Sequence, residues 1–330
     1  MKIAVVGATG MVGRKMIAVL EERKVAYEHL ILAASERSAG KLMSVGNSQY
    51  PVVTIDQALL LQPDVALFSA GAETSRNWAR KFARQGCYVI DNSSAWRLFN
   101  DVPLVVPEVN SHVISREQRL IANPNCSTIQ MVLALAPLHH HFRIKRVVVS
   151  TYQSVTGSGM KGKNQLDAER SNLPVEKFYP HPIDLNVIPQ GGSFQDDGYT
   201  TEEQKLVDET RKILGDEFIQ ITATVVRVPV YGGHSESVNI EFNQPFEIRD
   251  IVRLLTEMPG IVVQDDPKQS IYPMPLYAEN KDAVFVGRIR KDFSVANGLN
   301  LWIVSDNLRK GAATNAVQIA EFLISHHFVG

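Results

Sequence analysis

The sequence predicts an α/β protein in which a doubly wound parallel sheet is followed by an α+β domain built on a mainly antiparallel sheet. The opening third alternates short β-branched runs with amphipathic helical patterns, the rhythm of βαβ units. From about Arg143 the runs lengthen and alternate apolar with polar residues, as half-buried antiparallel strands do. At 330 residues the chain is also too long for one ordinary core and suits two domains.

In order, "KIAVVG" reads as a strand and "MVGRKMIAVLEER" as the helix after it, with "HLILAAS" the second strand. "DVALFSAG", "ETSRNWARKFARQG" and "YVIDNS" continue as strand, helix and strand, and "CSTIQMVLAL" reads as a helix starting near Cys126. The later strands are "RIKRVVVSTYQSV", "IQITATVVRVPV", "SESVNIEFN", "DAVFVGRIRKDF" and "LNLWIVSDN", with helices over 201–214 and 247–257 on one side of their sheet. The stretch 171–200, rich in Pro, Gly and Asp, reads as a long irregular excursion. The last helix, "RKGAATNAVQIAEFLISHHF", returns to cover the first domain. The expected domains are 1–127 with 309–330, and 128–308.

Composition narrows the function. With 45% hydrophobic and 21% charged residues and no apolar run of membrane-spanning length, the chain reads as globular, with no membrane partner. Glycines interrupt the N-terminal apolar run before signal-peptide length, so a cytoplasmic location is expected. A net charge of −1 offers no basic surface for nucleic acid. Two cysteines, Cys87 and Cys126, make neither a disulfide framework nor a zinc spacing, so each is buried filler or a reagent. The runs His139–His141 and His326–His327 read as surface residues, because consecutive helix positions do not converge on one ion, and no metal is expected.

"GATGMVG", Gly7 to Gly13, follows a strand and opens a helix, which makes the first domain Rossmann-like. There, glycines let the backbone approach a pyrophosphate and the helix start supplies N–H donors. After the second strand, "AASERSAGK" places Ser35, Arg37 and Ser38 where charged hydrogen bonds would grip a 2′-phosphate. This favours NADP over NAD, although Glu36 facing a ribose diol is the alternative.

Cys126 at a helix start lies where the macrodipole lowers a thiol's pKa, which makes a nucleophile, and Asn125 before it offers an amide to an oxyanion. Cys87, leading into a strand, reads as a small buried residue. Downstream, Arg227 shares strand parity with Ile221, Ala223 and Val225, and His234 with Val238, Ile240 and Phe242. A charged and a titratable group on core-facing registers need a partner or a cleft.

Taken together, "GATGMVG", "ASERSAGK", "FSAG", "DNSSAWR", "PLVVPEVN", "ANPNCSTIQM", "TYQSVTGSG", "NVIPQ", "GYTTEEQKL", "VRVPVYGGHSES" and "DNLRKGAATNAVQIAE" resemble the aspartate-β-semialdehyde dehydrogenase family nearly end to end. The resemblance implies NADPH-dependent, reversible reductive dephosphorylation of L-aspartyl-4-phosphate to the 4-semialdehyde, on the pathway to lysine, diaminopimelate, threonine and methionine. It implies Cys126 as the acyl-thioester nucleophile, His234 as general acid/base, and Gln153 orienting the substrate or reacting carbonyl. Arg227 would grip the α-carboxylate and Glu202 the ammonium, with Arg97, Asn125 and Lys205 binding phosphate, the inorganic co-substrate. Gly7, Thr9, Gly10, Met11, Val12, Gly13, Ser35, Arg37, Ser38, Thr156, Gly157 and Asn307 would hold NADP(H), with Asn307 near the nicotinamide. The implied partners are the small-molecule substrate and a second copy in a homodimer.

Without the resemblance, Glu202 and Lys205 read as a surface ion pair on one helix face, and Arg97 as surface charge. Gly191 and Gly192 stand where many relatives carry Ile-Asp, and Gln204 where Trp or Met is usual. The rival activity is an N-acetyl-glutamyl-phosphate-type reduction, against which Glu202 argues because an acetylated amine carries no ammonium. A non-catalytic dinucleotide-binding relative is the rival of a different class.

Overall fold

The structure, a computed structural model, describes residues 1–329. Two compact units emerge, one of residues 1–125 together with the chain from Ala312 onward, the other of Cys126–Gly311.

The first unit holds a seven-stranded sheet in the order β3-β4-β2-β1-β5-β6-β7, made of β1 (Lys2–Val6), β2 (His29–Ala33), β3 (Leu42–Val45), β4 (Ser48–Val53), β5 (Val65–Phe68), β6 (Tyr88–Asp91) and β7 (Leu120–Ala122). All neighbours are parallel except the hairpin β3–β4. Its helices are α1 (Met11–Glu22), α2 (Ile55–Leu60), α3 (Ala72–Arg84), the short α4 (Pro107–Asn110) and, from the far end of the chain, α10 (Thr314–Ser325). Ile3 to Val6 are wholly buried, as befits a strand covered on both faces. Ala313, Ala316, Val317, Ala320 and Leu323 recur at helical spacing and join that core, which holds the last helix to this unit. The expected last helix begins instead with a π-helical turn over Arg309–Ala313.

In the second unit six strands run in the order β11-β12-β13-β10-β8-β9, with ranges β8 (Ile144–Gln153), β9 (Gln220–Arg227), β10 (His234–Phe242), β11 (Ile261–Val263), β12 (Val284–Asp292) and β13 (Gly298–Ser305). Pairs β8–β9 and β11–β12 are parallel and the other three antiparallel. Helices α5 (Cys126–Phe142), α7 (Thr201–Leu214) and α8 (Ile248–Glu257) pack on the sheet. Ser127 to Leu135 of α5 are all buried, so this helix is apolar nearly all round. Short α9 (Pro275–Ala278) abuts β13.

Residues 171–200 form no helix or strand. Four of their backbone N–H groups are satisfied from α6 (Gly159–Arg170), a helix too polar to show an apolar stripe. Gln165 Oε1 accepts from the N–H groups of Phe178 and Tyr179, and Glu169 Oε2 from those of Ile183 and Asp184. Among the described residues no helix is long and apolar enough to cross a membrane.

Candidate active site

The glycine-rich turn is shaped by close backbone approach. Gly7 has φ +90°, and a Cβ there would stand 2.8 Å from the Ser69 carbonyl carbon. At Gly13 a Cβ would stand 2.1 Å from the Gly7 carbonyl oxygen, so only glycine lets α1 start this close to β1. Gly10 is the N-cap of α1, which has no side-chain cap and no acidic residue in its first turn. A helix start of this kind is suited to an anion, and Thr9, Met11 and Val12 surround it, partly exposed. Ser35 and Arg37 are exposed and Ser38 is partly exposed, on the single turn after β2. These residues fit a dinucleotide phosphate.

Arg97, in the same unit, is buried rather than a surface charge, with Nε donating to the Asn123 carbonyl and Nη2 to the Asn92 carbonyl, each at 2.9 Å. Asn125 is likewise buried.

In the second unit Cys126 is the first residue of α5 and partly exposed. Beside it, Gln153 at the end of β8 donates through Nε2 to Ser127 Oγ at 3.0 Å. A Cβ on Gly311 would stand 2.9 Å from Cys126 Cβ, so the chain after β13 packs closely against the start of α5.

His234, the first residue of β10, is fully buried, and its Nδ1 accepts from the Ser154 N–H at 3.1 Å. A backbone N–H can only donate, so Nδ1 is bare and the neutral ring carries its hydrogen on Nε2, which makes no hydrogen bond in the described chain. Burial, with Arg227 adding to it and the Gly233 backbone opposing, lowers its pKa to about 3. Arg227 is 7% exposed, Nη1 has no acceptor, and the residue forms no ion pair among the described residues. The backbone of Arg227 is clamped by Ile188, whose N–H and C=O both bond to it, at 3.0 and 2.8 Å.

Ser154 Oγ donates to Asn307 Oδ1 at 3.0 Å, Asn307 Nδ2 donates to Thr156 Oγ1 at 3.1 Å, and Thr156 donates to the Tyr231 carbonyl at 2.6 Å. The structure therefore joins His234, Thr156 and Asn307 in one polar network, with Gly157 against both His234 and Arg227.

Glu202 and Lys205 form an ion pair on α7. The first turn of that helix is fixed by a capping box between Thr200 and Glu203, and Glu203 Oε1 also accepts from the Val225 N–H at 2.9 Å. This ties the Glu202 turn to β9 two residues before Arg227. The Gly191–Gly192 pair has a physical reason here. A Cβ on Gly191 would stand 2.5 Å from Val225 Cγ1 and 2.8 Å from Glu202 Cβ, and Gly192 has φ +80°.

Two further residues complete the cluster. Ser154 holds the His234 ring, and Glu236 lies fully buried one strand repeat beyond His234. The parity that flags His234 flags Glu236 too, since it precedes Val238 by two, whereas nothing in the sequence marks Ser154. Cys87 is buried, and burial raises its pKa. His139 is a correction to the surface reading. It is 6% exposed, accepts from the Ile144 N–H, and its pKa is lowered by burial against the pull of Asp216. Among the described residues no three His, Cys, Asp or Glu side chains cluster for a metal.

Two family models match the chain, "Semialdehyde dehydrogenase, NAD binding domain" over residues 2–117 and "Semialdehyde dehydrogenase, dimerisation domain" over 135–310. The aspartate-semialdehyde dehydrogenase of Aquifex aeolicus is 50% identical over 99% of each chain. The crystal structure of aspartate semialdehyde dehydrogenase II of Vibrio cholerae, complexed with ASA, superposes with a TM-score of 0.94 at 44% identity over 98% of each chain. That of the Candida albicans enzyme with NADP gives 0.80 at 26% identity over 99% of each. The chain belongs to the aspartate-semialdehyde dehydrogenase family.

Proposed function

We propose that this chain catalyses the NADPH-dependent, reversible reductive dephosphorylation of L-aspartyl-4-phosphate to L-aspartate 4-semialdehyde, on the route to lysine and diaminopimelate, threonine and methionine. The observation that carries this reading is Arg227, a buried cation without an anionic partner among the described residues, beside a neutral histidine. Such a guanidinium is costly until a carboxylate arrives, and its fork suits the substrate α-carboxylate.

In the forward direction the Cys126 thiolate attacks the acyl carbon, the carbon–oxygen bond to phosphate breaks, and an acyl-thioester remains. The α5 N-terminus favours the thiolate, and the Asn125 amide supports the developing oxyanion. His234 donates from Nε2 to the oxygen of the tetrahedral intermediates. For it to serve as base, the tautomer must switch and the Ser154 N–H contact be given up. Gln153 orients the reacting carbonyl, Glu202 receives the ammonium, and Arg97, Asn125 and Lys205 receive phosphate. Binding ammonium and phosphate then exchanges the Glu202–Lys205 ion pair for two substrate contacts.

Gly7 and Thr9 to Gly13 would hold the cofactor, together with Ser35, Arg37, Ser38, Thr156, Gly157 and Asn307. NADPH bound there would supply the hydride for reduction of the thioester, freeing the Cys126 sulfur. The exposed Arg37 and the NADP named with the Candida relative support NADP over NAD. The chain acts as a cytoplasmic homodimer, a reading supported by the dimerisation-domain match. Phosphate-dependent reduction of NADP with L-aspartate 4-semialdehyde tests the activity. Folded protein that gives no NADPH overturns it.

A further inference from the structure

On β10 the proposed mechanism uses His234 but leaves a second, fully buried ionisable group, Glu236, unused. Glu236 is fully buried on β10 and paired across β8 with Thr151, on the face that α5 covers. Among the described residues no cation pairs with it. Burial raises its pKa well above the carboxylate range, and only Gln130 and Ser127 pull it back. Among the described residues neither carboxyl oxygen has a hydrogen-bond partner, and Gln130 Oε1 is also without a donor.

The two residues beside Glu236 lead to the proposed site in opposite directions. Ser127 Oγ accepts from Gln153 Nε2 at 3.0 Å, and Gln130 Nε2 donates to the His234 carbonyl at 3.4 Å. We infer that Glu236 is a positioning residue, a neutral carboxylic acid that joins the Gln153 side chain to the His234 backbone through Ser127 and Gln130. In that state its carbonyl oxygen accepts from the Ser127 hydroxyl, and its O–H supplies the donor that Gln130 Oε1 lacks. The order of donation is then fixed from Gln153 through Ser127, Glu236 and Gln130 to the His234 carbonyl. An ionised Glu236 only accepts and leaves Gln130 Oε1 without a donor. The consequence for chemistry is that the Gln153 N–H is turned toward Ser127 and its carbonyl oxygen away from it.

The inference rests on the proposed dehydrogenase reaction, so the test has one arm independent of activity. Infrared difference spectra of wild type against Glu236→Gln near neutral pH should contain the C=O stretch of a protonated carboxylic acid. Its absence overturns the proposal whatever the enzyme does. In the activity arm Glu236→Gln, which keeps one donor and one acceptor, should stay within about threefold of wild-type kcat. Glu236→Leu and Ser127→Ala should each lose on the order of 10- to 100-fold, the usual cost of a misplaced reacting group. The double variant should be no worse than either single one, with the rate of Cys126 alkylation and NADP affinity unchanged. A loss in Glu236→Gln as large as in Glu236→Leu, or additive losses in the double variant, overturns the proposal. Wild-type inactivity with L-aspartate 4-semialdehyde would instead sink the functional reading and leave the infrared arm to judge Glu236.

Discussion

Gly157 lies directly against the imidazole of His234. A Cβ at position 157 would stand 2.9 Å from both Cε1 and Nε2 of that ring and 2.8 Å from Nη1 of Arg227. The Arg227 side chain can swing aside, but the ring is held from behind by Ser154, so the added methyl must displace the histidine. Gly157→Ala should therefore lower kcat/KM on the order of 10- to 100-fold and lower stability, read as Tm, by no more than the roughly 1–3 kcal/mol that overpacking costs, because φ at this position adds no backbone strain. Steady-state kinetics beside a melting curve checks this. Full activity would mean that the ring has room the structure does not give it.

Cys126→Ala should abolish turnover, by on the order of a thousandfold or more, and leave NADP binding unchanged. Cys126 heads α5 and the glycine-rich turn belongs to the other unit, so the two functions should separate. Titration of NADP into the variant measures the second half of this expectation. Turnover near wild type would reassign the nucleophile, since the other cysteine is buried with a raised pKa.

Arg37 is exposed, so the proposed contact with a 2′-phosphate would be partly screened by water and worth less than a buried pair. Arg37→Ala should weaken NADP by about tenfold and NAD by less than about threefold. Paired KM values for the two cofactors test it, and equal losses would return the ribose to Glu36.

Much of this was legible in periodicity, and the gaps have physical reasons. Strands β1, β2, β5 and β6 stood out because both faces are buried, and β8 to β10 because one face is. The β3–β4 hairpin is an edge with exposed Leu42 and Pro51, so its alternation is weak. Helix α6 buries only Gly162, Gln165 and Leu166, and two of those three carry no apolar signal. The same limit applies at the candidate site. Arg227 and His234 betray themselves by occupying core registers. Ser154 acts through a backbone N–H, and the backbone amide of any residue but proline would leave the same sequence trace.

The two buried ionisable groups on β10 should tilt stability with pH in opposite directions. His234 has a folded pKa near 3 against an ordinary 6.5, so the fold keeps it neutral. As pH falls through that window the unfolded chain takes up a proton that the fold refuses, and stability is lost toward acid. Glu236 has its folded pKa raised from 4.5, so its contribution is intact below that value and is lost as pH rises, when the unfolded carboxyl ionises and the buried one does not. Each effect has a slope approaching about 1.4 kcal/mol per pH unit. His139, also lowered, adds to the acid limb, so the test compares variants with wild type rather than reading one curve. Glu236→Gln should gain Tm relative to wild type progressively above pH 4.5, and His234→Asn should gain it progressively below pH 6.5. Melting curves across pH 4 to 8 measure both differences. A Glu236→Gln difference that stays flat over that range would mean the wild-type carboxyl is ionised in the fold, and that the chain of donors linking Gln153 to His234 must run another way.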